Sequence, residues 1–212
     1  MKAIFLLAAA ATAAHADPND ELTLGTQTRA LRSSSADALT DQGYVGGQLS
    51  FARRLESPQP LLQLWATAGF DWGGASGEMF QTLTTNIGSV GFTVGGRARY
   101  VVRPHLAVSA RLDLGEQHVS LELADQNGRT ASDAGWGLLA KTAAAVDLFA
   151  VDNQGFALGL RAEIGYVAAR GVALAPKSPH DDTQLSIMTG GASIGHLDLG
   201  GPYFSISAVS QF

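Results

Sequence analysis

The chain has 212 residues, contains no cysteine, and carries 19 acidic against 14 basic side chains, a formal net charge of −5. This balance excludes the basic surface with which proteins bind nucleic acid, and the lack of thiols excludes a disulfide framework or a thiolate metal site. Only 16% of the residues are charged, yet the mean hydropathy is just +0.10. A helical membrane protein would be far more apolar, whereas strands that alternate apolar and polar residues average out near this value.

The first sixteen residues have the pattern of a secretory signal peptide. Lys2 supplies a positive charge, residues 3–14 form an almost unbroken apolar run, and residues 14–16 (Ala-His-Ala) give the small-x-small cleavage pattern. The run is too short for a transmembrane helix, which needs about 20 residues. We therefore predict cleavage after Ala16, which leaves one exported domain over residues 17–212.

After this segment the chain alternates between runs of period two and polar, glycine-containing breaks. Strict alternation of apolar and polar residues is typical of strands with one apolar face. Nothing later in the chain is long and apolar enough to span a bilayer as a helix, so a membrane-spanning mature chain must form a closed barrel. Eight strands are predicted, over residues 22–31, 44–53, 62–72, 91–102, 106–114, 136–148, 156–166 and 203–212.

The fifth predicted strand contains a change of phase. Its apolar residues are even-numbered as far as Leu114, but Val119, Leu121 and Leu123 are odd-numbered. We interpret residues 115–117 as a bulge or bend, with the following stretch projecting beyond the membrane.

Short and long connections alternate along the chain. The short ones are residues 56–60, 103–105 and 151–154, and the long ones are residues 33–42, 73–89, 115–135 and 171–202. Bacterial outer-membrane barrels show this asymmetry, with short periplasmic turns and long extracellular loops. Residues 185–199 could form a ninth strand, but we assign them to the fourth long loop, since nine strands would put the two termini on opposite sides of the membrane.

The C-terminal residues resemble the assembly signal of bacterial outer-membrane barrels, a terminal aromatic preceded by alternate apolar residues and an earlier aromatic. Phe204, Ile206, Ala208 and Phe212 match this signal, and Ser210 departs from it. The whole pattern is similar to the small eight-stranded porin-like and OmpA/OmpX-like barrels of Gram-negative bacteria. The resemblance implies an all-β fold, a closed antiparallel up-and-down transmembrane β-barrel, in contact with outer-membrane lipid in the bacterial outer membrane and inserted by the barrel-assembly machinery.

The predicted inward face carries charges of both signs. It holds Arg29, Asp71, Arg97, Arg99, Arg111, Asp113, Lys141, Asp147, Arg161 and Glu163. Desolvated charges are costly unless paired, so mixed signs predict an ion-pair network across the lumen. Eight strands enclose an interior just wide enough for side chains to fill it. We therefore predict a plugged barrel; a gated path for ions or solutes, lined by the arginines, is the alternative.

Aromatic residues cluster near the predicted strand ends, as the two interfacial girdles of a transmembrane barrel require. They are Phe51, Phe70, Trp72, Tyr100, Trp136, Phe149, Phe156, Tyr166, Phe204 and Phe212.

Histidines near hydroxyl and acidic residues raise an enzymatic alternative. His118 lies beside Ser120 and Glu122, and His196 follows Ser193, so a triad could cleave lipid esters at the outer leaflet. A triad is recognised by geometry rather than spacing, and no G-x-S-x-G elbow is present. Residues 180–182 (His-Asp-Asp) are weak evidence for a metal site. We expect no enzymatic activity, no cofactor and no metal.

The sequence thus predicts a membrane protein with a structural or surface-interaction role. A small channel or a lipid-modifying enzyme in the same fold is one alternative. A soluble periplasmic barrel that holds an apolar ligand is another, because a soluble barrel also alternates but with its apolar face inside.

Overall fold

The computed structural model of the protein describes residues 19–40, 43–55, 59, 61–79, 83–153, 155–176 and 195–212. Eight antiparallel strands pair in a closed ring. These strands are β1 (Asp20–Arg29), β2 (Tyr44–Arg54), β3 (Leu62–Met79), β4 (Leu83–Arg103), β5 (Leu106–Asp125), β6 (Thr130–Asn153), β7 (Phe156–Ala169) and β10 (Gly201–Gln211). Each pairs with its neighbours in the chain, and β1 pairs with β10. The predicted all-β, eight-stranded, up-and-down barrel is confirmed.

Three further elements lie outside the ring. Helix α1 (Ser34–Leu39) connects β1 to β2, and its first turn is capped by Ser33, whose side chain accepts a hydrogen bond from the Ala36 N–H. Strands β8 (Val172–Leu174) and β9 (Gly195–Leu197) form a separate two-stranded ribbon. The described part of residues 185–199 lies in this ribbon and just after it, outside the barrel, so the barrel has no ninth strand there.

The closing pair of strands is fastened at its end. The Asp20 N–H donates to the Phe212 carbonyl at 3.0 Å, and the Phe212 N–H donates to the Asp20 carbonyl at 2.9 Å. Closure removes the free edges through which open sheets aggregate. We call this end of the barrel, which also carries the β2–β3, β4–β5 and β6–β7 connections, the terminal end, and the end with α1 and the ribbon the loop end.

Strands β3 to β6 are much longer than predicted, with 18, 21, 20 and 24 residues. Most of residues 73–89 and 115–135, predicted as long loops, is strand. The β5–β6 connection is a tight turn in which the Asp125 carboxylate accepts the N–H groups of Asn127 and Arg129, both at 2.8 Å. The Arg129 N–H in particular lowers the pKa of Asp125. The prediction of long loops was wrong because these segments have small or polar outward residues, which hides the strand period.

The predicted bulge at residues 115–117 is also wrong. Strand β5 pairs without interruption from Leu106 to Ala124 with β6, and Gly115 lies opposite Thr93 on β4 and Leu139 on β6. Odd-numbered residues of β5 therefore point inward along its whole length. The phase changes because the interior changes, from the charged Asp113 to the apolar Val119 and Leu121.

The loop end contains a cluster of buried apolar side chains. Its members are Ala36, Leu39, Ile87, Val119, Leu121, Val172, Leu174, Leu197 and Leu199. Because Ile87, Val119 and Leu121 share the inward face of β4 and β5, the cluster packs α1 and the ribbon over the mouth of the barrel. It forms an apolar layer above the charged lumen.

The outward face of the barrel is apolar. Exposed large side chains include Phe92, Val94, Leu112, Leu114, Leu148, Leu160, Ile164 and Ile206. Phe149, predicted in an aromatic girdle, is instead only 6% exposed and lies inside, since it shares the parity of Lys141 and Asp147 on β6. Among the described residues, no helix is long and apolar enough to cross a membrane. The predicted signal peptide lies outside the described residues.

Candidate functional site: the charged lumen

All ten charged residues predicted to face inward lie in the interior of the barrel. Nine of them are buried, and the side chain of Arg111 is 9% exposed. They come from six strands, β1 and β3 to β7, and reach the same space because alternate residues of a strand point to the same side.

Glu21 is the centre of the network near the terminal end. The Arg97 guanidinium donates to both of its carboxylate oxygens, at 2.5 and 2.9 Å, and the Arg161 Nη1 lies 3.0 Å from Oε1. The Gln211 amide donates to Oε2 at 2.8 Å. Glu21 is not among the predicted lumen residues because the predicted first strand begins at Leu22, although the alternation of inward and outward residues extends one residue further.

Asp147 binds Arg161, which it shares with Glu21, and a third arginine, Arg99. The Arg161 Nε and Nη2 donate to its two oxygens at 2.6 and 3.0 Å, in the two-point geometry that guanidinium and carboxylate groups favour. The Arg99 Nε lies 3.5 Å from the same carboxylate. The Arg99 guanidinium also stacks over the Phe149 ring at 4.8 Å, which explains why an aromatic residue is accommodated inside.

Arg111 joins two carboxylates nearer the loop end. Its Nε lies 2.8 Å from Asp113, and its Nη2 donates to Glu163 at 3.1 Å. Each carboxylate has a neutral donor as well, since Tyr203 donates to Glu163 and Thr67 donates to Asp113, both at 2.6 Å. The charges in this cluster are therefore paired and hydrogen-bonded, the condition under which buried charges are tolerated.

Lys141 lies in a separate polar cage. Its Nζ donates to Asp71 at 3.2 Å and to Gln48 at 3.1 Å, and it lies 4.6 Å from the centre of the Tyr203 ring. Gln27 donates to the same Asp71 carboxylate at 3.3 Å. The cage thus draws its groups from β1, β2, β3, β6 and β10, and it links opposite walls of the barrel.

Arg29 connects the lumen to the loop end. Its Nη1 donates to the Leu199 carbonyl at 2.8 Å, and its guanidinium lies 4.7 Å from the centre of the Tyr44 ring. Tyr44 shares a hydrogen bond of 2.9 Å with Ser89. Since Leu199 belongs to the apolar cluster, this contact fastens the segment after the ribbon to the barrel wall.

The lumen of the described chain is close to electrically neutral. Its basic members are Arg29, Arg97, Arg99, Arg111, Lys141 and Arg161, and its acidic members are Glu21, Asp71, Asp113, Asp147 and Glu163. Every one of these carboxylates lies within 3.5 Å of a basic group. The carboxylates of the interior are thus all paired with basic groups, while the Nε atoms of Arg29, Arg97, Arg99 and Arg111 are buried without a hydrogen-bond partner among the described residues.

The residues considered for an enzymatic site lie elsewhere. His118, Ser120 and Glu122 share the outward face of β5, where the Ser120 hydroxyl donates to the Gly88 carbonyl at 3.4 Å and the His118 ring packs against Trp136 at 5.1 Å. In the part of the chain that the structure describes, no hydrogen bond joins Ser120 to His118. His196 is exposed on β9, whereas Ser193 and residues 180–182 lie outside the described residues. No group of three potential metal ligands occurs among the described residues.

The residues that resemble an assembly signal lie on the outer side of β10. Phe204 and Ile206 are 45% and 52% exposed, Ala208 follows on the same face, and Phe212 directly follows the strand and is hydrogen-bonded to Asp20. Ser210 occupies the next outward position in this row. These residues are therefore placed on the face of the barrel that a membrane or an assembly factor would contact.

No family model matches the chain. A search of the curated proteins also finds no match in sequence.

Among solved structures, the chain is similar to Ail, the attachment invasion locus protein of Yersinia pestis. In complex with the heparin analogue sucrose octasulfate, Ail aligns with a TM-score of 0.53 and 11% identity, over 93% of this chain and 100% of that one. A second crystal structure of Ail gives a TM-score of 0.50 and 10% identity, over 92% and 98% of the two chains. The protein therefore has the fold of the small eight-stranded outer-membrane β-barrels.

Proposed function

We propose that the protein is an integral protein of the bacterial outer membrane, a plugged barrel with a structural or surface-interaction role. The observation that carries this proposal is the polarity of the barrel wall. Charged side chains such as Arg161 and Asp147 are buried inside, while Leu112 and Ile164 are 55% and 64% exposed on the outside. Lipid solvates such an apolar belt, and the closed ring of strands satisfies its backbone groups without water.

A soluble barrel with an apolar ligand would have the opposite polarity. Its lumen would be lined by apolar side chains, and its outer surface would be polar. The lumen of this protein instead holds a network such as Glu21, Arg97 and Arg161, in which each group is already engaged by another. This arrangement supports the membrane protein over the soluble carrier.

The network also favours a plug over a channel. Ion pairs cross the lumen at two levels, at Glu21–Arg97 and at Asp71–Lys141, and the apolar cluster covers the loop end. An ion that entered would have to break charged hydrogen bonds worth about 1.5–3 kcal/mol each. We infer that the barrel does not conduct in its ground state.

The loop end is the part suited to contact with partners. Strands β3 to β6 continue past the ends of β2 and β7, so a four-stranded sheet projects beyond the barrel. In the proposed orientation this sheet faces the cell exterior, because the termini and short turns of such barrels lie in the periplasm. Ail, which shares the fold, is described as an attachment protein, and we propose a surface role of this broad kind here.

Fractionation and conductance test the proposal separately. Cell envelopes should retain the protein in the outer-membrane fraction after a salt or osmotic wash, and release into the soluble periplasm would contradict the location. Purified protein in a planar lipid bilayer should give no stable conductance steps. Steady, ion-selective steps in the wild type, with a selectivity that changes in Arg97→Ala or Lys141→Ala, would contradict the plug and favour the channel.

A further inference from the structure

The outer face of the projecting sheet carries a groove that runs across four strands. Its floor is a row of small side chains paired from strand to strand, Gly74, Gly88, Ser120 and Ala134. Together with the residues beside it, this row lines an open cavity of about 660 Å³. Neighbouring strands are about 4.8 Å apart, so the groove is about 14 Å long, enough for a short linear ligand.

The wall of the groove towards the barrel is largely aromatic. It is the next outward row, Trp72, Val90, His118 and Trp136, in the same register. Trp136 is 63% exposed, Trp72 is 37% exposed, and a second depression of about 320 Å³ lies between Trp72 and His118. Large aromatic faces that stay in solvent on a folded protein are the usual anchors of binding surfaces.

The opposite wall is polar. It consists of Ser76, Asn86, Glu122 and Ser132, which form the outward row two residues nearer the strand tips. Asn86, Glu122 and Ser132 are exposed. Hydroxyl, amide and carboxylate groups can donate to and accept from the hydroxyl groups of a ligand.

The charge of the groove excludes anionic ligands. None of the residues that line it in the described part of the chain is lysine or arginine, and Glu122 is an exposed acidic residue. A sulfate or phosphate group would meet the Glu122 carboxylate and no basic side chain among these lining residues. The groove therefore differs in kind from a site for sulfated sugars, the class of ligand in the Ail complex.

We propose that this groove binds a short saccharide whose sugars are uncharged or carry amino groups. The C–H face of each ring would stack on Trp72 and Trp136, and the hydroxyl groups would bond to Asn86 and Glu122. An amino sugar would gain an ion pair with Glu122. The proposal rests on the outer-membrane orientation only in that the groove then faces the cell exterior; its test uses purified protein and does not depend on that orientation.

Tryptophan fluorescence of the folded protein in detergent measures the binding. The chain has three tryptophans, of which Trp65 is 2% exposed inside the barrel and the other two lie in the outward row beside the floor of the groove. The probes are a trimer of N-acetylglucosamine, the corresponding trimer of glucosamine, and sucrose octasulfate. We expect saturable changes with the two trimers and none with sucrose octasulfate.

Three variants locate the site. Trp136→Ala should lower the affinity for both trimers at least tenfold, whereas Trp136→Phe should keep most of the wild-type affinity. Glu122→Gln should lower the affinity for the glucosamine trimer several-fold more than the affinity for the N-acetylated trimer. Leu138→Ala is the matched control, because Leu138 is 55% exposed on the same strand but outside the groove. Retention of the folded band on unheated gels shows that each variant is folded.

Several results would overturn the proposal: no saturable change with either trimer, tighter binding of sucrose octasulfate, or equal losses in Trp136→Ala and Leu138→Ala.

Repeating the titration in lipid nanodiscs with and without lipopolysaccharide separates two sources of the sugar. Competition by lipopolysaccharide would assign the groove to the sugars of the neighbouring glycolipid. Undiminished trimer binding would assign it to a free glycan.

Discussion

Glu21 and Arg97 form a two-point ion pair across the lumen, with the Arg97 nitrogens 2.5 and 2.9 Å from the two carboxylate oxygens. The two residues lie on β1 and β4, which are separated in the ring by β2 and β3. The pair therefore bonds groups on strands that share no main-chain hydrogen bonds. It fixes the shape of the barrel's cross-section in a way that the strand ladder alone does not.

Loss of this pair should destabilise the barrel strongly. We expect Arg97→Ala to lower the free energy of unfolding by about 3–5 kcal/mol, because Glu21 would stay buried and lose the two charged hydrogen bonds that Arg97 donates. Denaturant unfolding in detergent micelles, followed by tryptophan fluorescence, measures the change. Arg129→Ala, at the exposed β5–β6 turn, is the control and should have a much smaller effect, since its pair with Asp125 is largely in solvent.

A double variant shows whether the pair itself is responsible. Glu21→Gln combined with Arg97→Met should cost clearly less than the sum of the two single changes, because Glu21→Gln removes the carboxylate that pairs with Arg97, and Arg97→Met leaves Glu21 with Arg161 as its basic partner. Fully additive losses would mean that the two side chains act independently, and the cross-lumen role of the pair would then have to be abandoned.

The sequence predicted the lumen better than it predicted the ends of the strands. Lys141 and Asp147 share one parity on β6, and alternation is a local property that a single strand shows without its neighbours. The partner of each charge was not predictable. Pairing depends on the ring order and register, which bring Glu21 to Arg97 from positions 76 residues apart.

The strands near the loop end were predicted less well, because the surroundings of their inward and outward faces change there. Up to Leu114 the outward residues of β5 are apolar and the inward face includes the charged Asp113, whereas further along the strand Ser120 is outward and Leu121 is inward. The inversion resembles a one-residue insertion in sequence, so a bulge was predicted. The inward residues become apolar because α1 and the ribbon pack over this end of the barrel. No local pattern in β5 indicates that packing.

Electrophoresis should show the closed barrel directly. Unheated protein in detergent should migrate differently from the boiled protein, because a ring in which every strand has two neighbours resists unfolding at room temperature. The Arg97→Ala variant should lose this difference at a lower temperature than the wild type. Identical migration of heated and unheated wild-type protein would contradict a stable closed barrel.

The C-terminal row offers a test of assembly. If Phe204, Ile206, Ala208 and Phe212 form the predicted signal, Phe212→Ala should lower the fraction of folded protein in the membrane, and Ser210→Phe should raise it. The heat-dependent gel shift of membrane fractions measures that fraction. Phe156→Ala serves as the control, since it removes an aromatic ring near the terminal end but not from β10. Equal effects of Phe212→Ala and Phe156→Ala would indicate loss of an interfacial anchor instead of a signal.

The outward belt makes the strongest prediction about the surroundings of the protein. Leu112 is 55% exposed and lies within the outward apolar run of β5, where its neighbours across the strands are Gly96 and Thr142. Leu112→Arg should make folding into a lipid bilayer less favourable by about 2–4 kcal/mol if residue 112 lies near the midplane, because a guanidinium must then be placed in hydrocarbon. Thr84→Arg makes the matched change at an exposed outward position near the tip of β4, beyond the belt, and should cost little. Folding titrations into liposomes with urea measure both. Soluble proteins tolerate arginine at exposed positions, so equal and small costs for the two variants would mean that the belt does not meet lipid. The outer-membrane proposal would then fail, however well the charged lumen is packed.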